Sequence, residues 1–370
     1  MRLALRELWR QPGRFVTAGV ILTVLGVLLT FLGGLLDGLI ADATGAFRAQ
    51  RAELIVYSAD ARDSLPRSRI DASTRERVEP VTGVGAVGAL ASVQLGARPG
   101  DQPETRDLVG VVVFGYELAP RGVPTEPPAT GEVVADGSLR AEGVQTGDVV
   151  LVGPARSPLT VIGFVDDTRY SGQAALWGSF DTWRRVVAAN RPDRVTVDDV
   201  VPALVVATVP GARPDDVAAA IDEVAGVTST LTIDAAIDAL PGVSAQRSTF
   251  NQLIGVTAVV VMLVVGLFFA LITVERTPLY GLLRAIGAPS RTLIAGVVAQ
   301  AVVITMLASA GGAAIALGLD AAIPAGAIPY RVSARRLLTT VAIMLAAAVA
   351  GSAFSLRRVL RIEPASAIGA

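Results

Sequence analysis

Four stretches of this chain each hold twenty or more consecutive residues without a charged side chain, and they constrain its fold more than any other feature. An α-helix rises 1.5 Å per residue, so about 20 apolar residues cross the roughly 30 Å hydrocarbon core of a bilayer. The predicted spans are residues 15–36, 251–274, 292–319 and 337–356. The sequence therefore predicts a membrane α-helical protein in which one span precedes a long region and three follow it.

Arginine is unevenly distributed around these spans, and its distribution predicts their orientation. Four spans place residues 1–14, 275–291 and 357–370 on one side, and these segments together hold ten Arg against three Glu. Basic residues beside spans favour the cytoplasmic side of a membrane. We therefore predict a multi-pass protein of the bacterial cytoplasmic (inner) membrane with both termini in the cytoplasm. The outer loop, residues 320–336, is an exception to this pattern because it carries three Arg.

The long region 37–250 is accordingly predicted to be extracytoplasmic. It holds 19 Arg and 29 acidic residues, a balance that argues against a nucleic-acid partner. Alternating apolar residues and helix-start signals at Ser73, Ser179 and Pro214 predict an α+β domain, with Val217, Ile221 and Val224 on one face of the last helix. The strands are predicted near residues 53–57, 87–95, 108–116, 148–152, 159–164, 203–209 and 228–233.

The composition excludes much catalytic chemistry. The chain has no Cys and no His, and all 32 basic residues are Arg. Disulfides, Cys/His zinc sites and imidazole-dependent triads are therefore impossible, and a phosphate-binding loop that needs Lys is absent. We predict a non-catalytic chain with no catalytic, cofactor-binding or metal-binding residues.

Three further patterns each allow two interpretations. The turn 166–169, Asp-Asp-Thr-Arg, is read as solvated carboxylates in preference to a calcium or acid/base site. Trp177, Phe180 and Trp183 are read as packing between a helix and the sheet in preference to a ligand grip. The first apolar run precedes Ala41-Asp42-Ala43, which resembles a signal-peptide cleavage site, but its 22 residues favour a retained helix. Residues 1–14 before it are predicted to form an amphipathic helix in the cytoplasmic membrane interface.

The loop 275–291 is the most specific feature of the sequence. Apolar residues recur at helical spacing over residues 278–286, and Gly287 follows as a stop signal, so a short amphipathic helix is predicted. Its apolar face can insert into a groove of a partner protein or lie in the membrane interface, and the pattern alone gives the two equal standing.

This loop closely resembles that of MacB/FtsX-type (type VII) ABC transporter permeases. The family pattern is an acidic residue followed by a Leu-Arg-Ala-Ile/Leu-Gly-Ala core, which stands here at residues 283–288. The tail at 357–368 and the order of one span, a large domain and three spans are also similar to the family. The resemblance implies that residues 37–250 form a domain of the MacB periplasmic core type.

The resemblance also implies partners and interface residues. A second permease copy or close paralogue completes a dimer, and a separate cytoplasmic ABC ATPase subunit holds the ATP and Mg, so this chain carries no cofactor. Close helix approach in the first span makes Gly34 and Gly38 candidates for the dimer interface. The candidate ATPase-coupling residues are Glu275, Pro278, Leu279, Leu282, Leu283, Arg284, Ile286 and Gly287.

The predicted function is mechanotransmission: ATP hydrolysis in the partner moves the extracytoplasmic domain to export or extract an amphiphile, lipid or peptide. Lipids surround the spans, and no ionisable side chain lies inside them to couple transport to an ion gradient. One alternative is an FtsX-like regulator that activates an extracytoplasmic partner protein such as a hydrolase. Another is a membrane sensor that uses no ATPase.

Overall fold

A computed structural model describes five stretches of the chain, residues 12–99, 108–191, 200–275, 289–323 and 328–359. The chain divides into two compact units. We call residues 39–245 the sheet domain, and residues 1–38 together with 246–370 the helical unit.

The α-helices of the described residues are long in the helical unit and short in the sheet domain. They are α1 (Pro12–Arg48), α2 (Ala72–Val78), α3 (Phe180–Asn190), α4 (Pro214–Ala225), α5 (Ile233–Ala239), α6 (Val243–Glu275), α7 (Ser290–Ala322) and α8 (Ala334–Val359). By length and composition α1, α6, α7 and α8 can each cross a membrane. Together with the sheet described below, this confirms the predicted fold class of four apolar helices and a mixed α/β domain.

The helical unit is held together by close packing of apolar and small residues. Lipid is as apolar as these side chains, so tight contact between helices is the main source of association. Gly351 of α8 illustrates it, because a Cβ there would lie 2.7 Å from the Met262 carbonyl oxygen of α6. The buried interior consists of Leu22, Leu29, Val261, Val265, Val297, Ala301, Ile304, Ala308, Met344, Ala347 and Ala348.

The sheet domain is built on one nine-stranded sheet. The strands are β1 (Leu54–Ser58), β2 (Ile70–Asp71), β3 (Val84–Pro99), β4 (Val109–Tyr116), β5 (Glu132–Asp136), β6 (Val149–Val152), β7 (Ser157–Val165), β8 (Ala174–Gly178), β9 (Val200–Val201), β10 (Ala203–Thr208) and β11 (Thr228–Thr232). Their order is β11-β1-β10-β3-β4-β8-β5-β7-β6, while β2 and β9 pair separately. β4–β8 and β5–β7 are parallel, and the other pairs are antiparallel.

The 16-residue strand β3 organises this sheet. Its first half pairs with β10, its second half with β4, and its last three residues with β6. The pairing with β6 closes β3, β4, β8, β5, β7 and β6 into a ring of six strands. Alternate residues of β4 enter different cores: Val111 and Val113 belong to one, and Val112 and Phe114 to the other. The near-continuous apolar sequence of β4 follows from this burial on both faces.

Several predicted details were tested here. Ser179 caps α3, accepting a hydrogen bond from the Thr182 amide, and Pro214 begins α4, as predicted. The predicted start at Ser73 was wrong, because Asp71 caps α2 by accepting from the Thr74 amide at 2.7 Å. On the predicted face of α4, Val217 and Ile221 are buried but Val224 is not. It is 54% exposed, and the neighbouring Ala225 is buried in its place. Alternation also missed β5 and β8, both of which are short and almost wholly buried.

Two buried tyrosines of the sheet domain provide a matched test of hydrogen bonding. The Tyr57 hydroxyl is buried with no hydrogen-bond partner among the described residues, whereas the Tyr116 hydroxyl donates to the Pro124 carbonyl at 2.8 Å. An unpaired buried hydroxyl is costly, and a satisfied one contributes about 1 kcal/mol. Tyr57→Phe should therefore leave the free energy of unfolding unchanged or raise it, and Tyr116→Phe should lower it by about 1 kcal/mol. Denaturant unfolding of the purified chain, followed by tryptophan fluorescence, measures both. Equal losses in the two variants would contradict the assignment.

Candidate functional site

The predicted coupling residues lie almost entirely outside the described residues. Glu275 is described as the last residue of α6. The other seven, from Pro278 to Gly287, fall in the segment 276–288, for which we describe no structure. After it the chain is described again from Pro289, which precedes the first turn of α7. The coupling role of these residues therefore stays a prediction.

The glycines predicted at a dimer interface, Gly34 and Gly38, face a segment of their own chain. A Cβ at Gly34 would lie 2.6 Å from the Tyr330 ring, and one at Gly38 would overlap the Pro329 carbonyl. The Gly34 carbonyl accepts a hydrogen bond from the Arg331 amide at 3.1 Å. The close approach that these glycines permit is thus used within the chain, by the α7–α8 connection. Dimer formation through them stays an untested prediction.

An ion pair fixes the same end of α1 to the start of α8. The Arg336 guanidinium donates from Nε to Asp37 Oδ2 at 3.0 Å and from Nη2 to Asp37 Oδ1 at 2.5 Å. Both side chains are less than one third exposed. Nearby, Tyr330 stacks on Phe31 with ring centroids 5.2 Å apart. Arg336 is one of the three arginines of the outer loop that are exceptions to the predicted distribution of basic residues. Its pairing with Asp37 supplies a structural reason for a basic residue there.

The last turns of α1 belong to the sheet domain. There they form hydrogen bonds with the β7–β8 connection, residues 166–173. The Ala46 amide donates to the Arg169 carbonyl, while the carbonyls of Ala43 and Asp42 accept from Ser171 and Gly172, all at 3.0–3.1 Å. Such approach of two backbones needs a missing side chain. Gly45 provides it, because a Cβ there would lie 2.7–2.9 Å from backbone atoms of Asp167 and Arg169.

Two ion pairs flank these backbone bonds. Arg48 makes a bidentate contact with Asp167 at 3.0 and 3.1 Å, and Arg169 contacts Asp42 at 2.6 Å. The paired geometry of a guanidinium and a carboxylate adds direction as well as attraction. We call residues 42–48 with 166–173 the helix-end clamp. The Asp-Asp-Thr-Arg turn, interpreted from sequence as solvated, thus has a structural role here, which only long-range contacts could reveal.

The clamp rests on an aromatic cluster that the sequence located only in part. Phe47 packs on Tyr170 at 5.2 Å, Tyr170 meets the edge of Phe114, and Phe114 stacks on Trp177 at 4.4 Å. Burial raises the pKa of Tyr170 to about 12, so this phenol stays neutral at physiological pH. Trp183 and Phe180 pack together in the other core at 5.6 Å. The tryptophans therefore serve packing, as the favoured interpretation predicted.

These features together define a class: an integral membrane protein in which a large α/β domain is inserted between the first and second of four apolar helices. Within the described residues no group of His, Cys, Asp or Glu is placed to hold a metal ion.

Comparisons with known proteins give this class a family resemblance. Residues 251–364 match the family described as FtsX-like permease C-terminal. The whole chain is 21% identical over 374 residues to a Staphylococcus haemolyticus protein named putative hemin transport system permease protein HrtB, covering 100% of this chain and 99% of that one. It is 27% identical over 376 residues to a Mycobacterium tuberculosis protein named an uncharacterized ABC transporter permease, covering 99% and 98%. The resemblance inferred from the loop and tail is thereby confirmed.

Two solved extracytoplasmic domains are also similar to part of the chain. The periplasmic region of MacB from Actinobacillus actinomycetemcomitans matches with 12% identity and a TM-score of 0.34, covering 50% of this chain and 91% of that one. The extracellular domain of the transporter YknZ from Gram-positive bacteria matches with 14% identity and a TM-score of 0.33, covering 49% and 98%.

The Asp37–Arg336 pair can be tested by exchanging its charges. Asp37→Arg and Arg336→Asp should each lower the thermal stability of the detergent-solubilised chain, because each leaves two like charges facing one another. The double exchange should recover part of the loss, with a coupling of about 1 kcal/mol or more. If the double variant is no more stable than the summed losses of the two single variants predict, the ion pair contributes nothing to stability.

Proposed function

We propose that this chain is the permease subunit of an ABC transporter of the MacB/FtsX type. The observation that carries the proposal is the match of residues 251–364 to the FtsX-like permease family, supported by similarity over the full length to proteins named ABC transporter permeases. The permease itself is non-catalytic, and a separate cytoplasmic ABC ATPase subunit binds ATP and Mg. The predicted location is the cytoplasmic membrane, with the sheet domain outside.

The proposed mechanism is mechanotransmission. In it, ATP-driven closure of two ATPases moves the segment 278–286, which follows α6 directly, and the motion passes along the helices to the sheet domain. Two features support it. The chain enters and leaves the sheet domain within α1 and α6, neither of which is interrupted there, and a continuous helix transmits force better than a flexible linker. The helix-end clamp then fixes the last turns of α1 to the sheet at several points.

The proposed cargo is an amphiphilic molecule, lipid or peptide that is exported or extracted from the membrane. The spans contain no ionisable side chain, so they offer no group that could couple transport to a proton gradient. One similar protein is named for transport of hemin, which leaves the cargo of this chain open within the amphiphile class.

Coupling is tested by purifying the full chain from native membranes with its associated ATPase. An ABC ATPase should copurify, and Leu282→Ala, Leu283→Ala and Arg284→Glu combined should remove it or abolish its stimulation by the permease, because the variant loses both the apolar face and the charge of the predicted helix. Arg213→Glu is the matched control, since its side chain is 77% exposed and lies in the sheet domain. Unchanged stimulation in the triple variant, or the absence of any ABC ATPase, would rule out the proposed coupling.

Transmission through the clamp is tested by Gly45→Ala. The added methyl group overlaps backbone atoms of the β7–β8 connection, so we expect the free energy of unfolding to fall by about 1–3 kcal/mol. Transport should fall further than ATP hydrolysis, because the ATPase contact is untouched. Gly19→Ala is the control in the same helix, since a Cβ there meets no atom within 4 Å. If Gly45→Ala lowers transport and ATP hydrolysis equally, the helix-end clamp does not transmit the motion.

A further inference from the structure

A cavity of about 560 Å³ lies in the sheet domain at one end of the six-stranded ring. It opens where β3 and β6 end, β4 begins and α3 ends. Its lining combines three arginines with apolar side chains, and no acidic residue is among the described residues that line it. The lining residues are Leu95, Gly96, Arg98, Leu108, Leu151, Gly153, Pro154, Arg156, Asn190 and Arg191.

The charge of this cavity is opposite to that of the domain around it. The region 37–250 has ten more acidic residues than Arg, yet Arg98, Arg156 and Arg191 meet at one opening from three different elements. A guanidinium binds carboxylate and phosphate oxygens with two parallel hydrogen bonds. Three of them at one cavity therefore create a local environment suited to an anionic group, in a domain whose overall charge repels anions.

Arg156 is held in a backbone conformation that arginine rarely adopts. Its φ is +53°, in the left-handed region, where Gly or Asn is ordinarily found. For a residue other than glycine, this backbone conformation costs about 1 kcal/mol or more. Strain of this kind at a residue that lines a cavity favours a role for its side chain in binding.

Asn190 fixes the turn that presents Arg156. Its Oδ1 accepts from the Ala155 amide at 2.8 Å, and its Nδ2 donates to Ser157 Oγ at 2.9 Å, so it contacts both neighbours of Arg156. Asn190 is itself buried at the end of α3, immediately before Arg191. One side chain thus holds two of the three arginine-bearing segments together, and the backbone that carries these two arginines is ordered before any ligand arrives. Preorganisation of this kind lowers the entropic cost of binding.

The apolar part of the lining points to the rest of the ligand. Leu108 is 61% exposed at the cavity, and Leu95, Leu151 and Pro154 contribute further apolar surface. We propose that this cavity binds an amphiphile through its phosphate or carboxylate group, with the arginines contacting the anion and the leucines contacting the attached hydrocarbon. The proposal adds a substrate class to the proposed function, but binding itself requires no ATPase.

The test is calorimetric titration of the full chain in dodecyl maltoside with hexyl phosphate. Inorganic phosphate and 1-hexanol serve as probes of the head and the tail alone. Hexyl phosphate should bind more tightly than either, and its affinity should fall with added salt. Arg156→Gly should weaken it about tenfold or more, since a charge-assisted hydrogen bond is lost. Because glycine suits the left-handed backbone conformation, this variant should fold, and its thermal unfolding checks that.

Arg62→Gly is the matched control. Arg62 is also an exposed arginine with positive φ, +51°, but it does not line the cavity. This variant should fold, as Arg156→Gly does, and it should keep the affinity of the parent. Equal binding of inorganic phosphate and hexyl phosphate would indicate a site for a free anion and would overturn the proposal that the ligand is an amphiphile. Equal binding of 1-hexanol, unchanged affinity in Arg156→Gly, or no binding of hexyl phosphate would overturn the anion site, and each leaves the ATPase coupling untouched.

Discussion

The contact between the end of α1 and the β7–β8 connection is the constraint on which the sheet domain depends most. A helix ordinarily presents side chains to its neighbours, and its backbone is kept several ångströms away. At Gly45 the absence of a Cβ lets two backbones bond directly, and the flanking Asp42–Arg169 and Arg48–Asp167 pairs hold the register of that contact. The aromatic packing of Phe47, Tyr170 and Phe114 then continues it into the core. Flexible side-chain packing alone would permit sliding, whereas these directional bonds resist it.

The helical unit meets a different requirement. Hydrophobic burial gives helices in lipid little reason to associate, so contacts must come from close packing and polar pairs. Gly26, Gly312 and Gly351 bring helices near one another, and Asp37–Arg336 adds a polar pair at the end of the apolar region. Gly34 and Gly38 show that a small-residue pattern locates a close approach without identifying what approaches. Here the neighbour is the segment 329–331 of the same chain.

The sequence predicted what depends on local pattern. Uncharged runs indicated the four long helices, alternation found most of the strands, and Ser179 and Pro214 marked two helix starts. The sequence-based predictions failed where contacts between residues distant in the sequence determine the structure. β8, with the sequence Ala-Ala-Leu-Trp-Gly, is buried on both faces, so it shows no alternation. Asp71 caps α2 in place of Ser73 because its carboxylate accepts the hydrogen bond from the Thr74 amide. Val224 is exposed because α4 turns the face formed by Val217, Ala218, Ile221 and Ala225 toward the core. Neither the clamp nor the arginine cavity has a sequence motif, since each joins residues that the chain separates widely.

Arginine is the only cation of this chain, and the structure separates roles that composition cannot. At Arg336 it neutralises a carboxylate at the end of a helix, and at Arg48 and Arg169 it fixes a helix to a sheet. At Arg156 it occupies a turn beside a cavity, in a backbone conformation that favours glycine. The first two roles are ion pairs within the fold, whereas the third places an arginine in a backbone conformation that costs energy. Backbone strain at a residue that lines a cavity agrees with a binding role for its side chain, and it supports the proposal that this cavity binds a ligand.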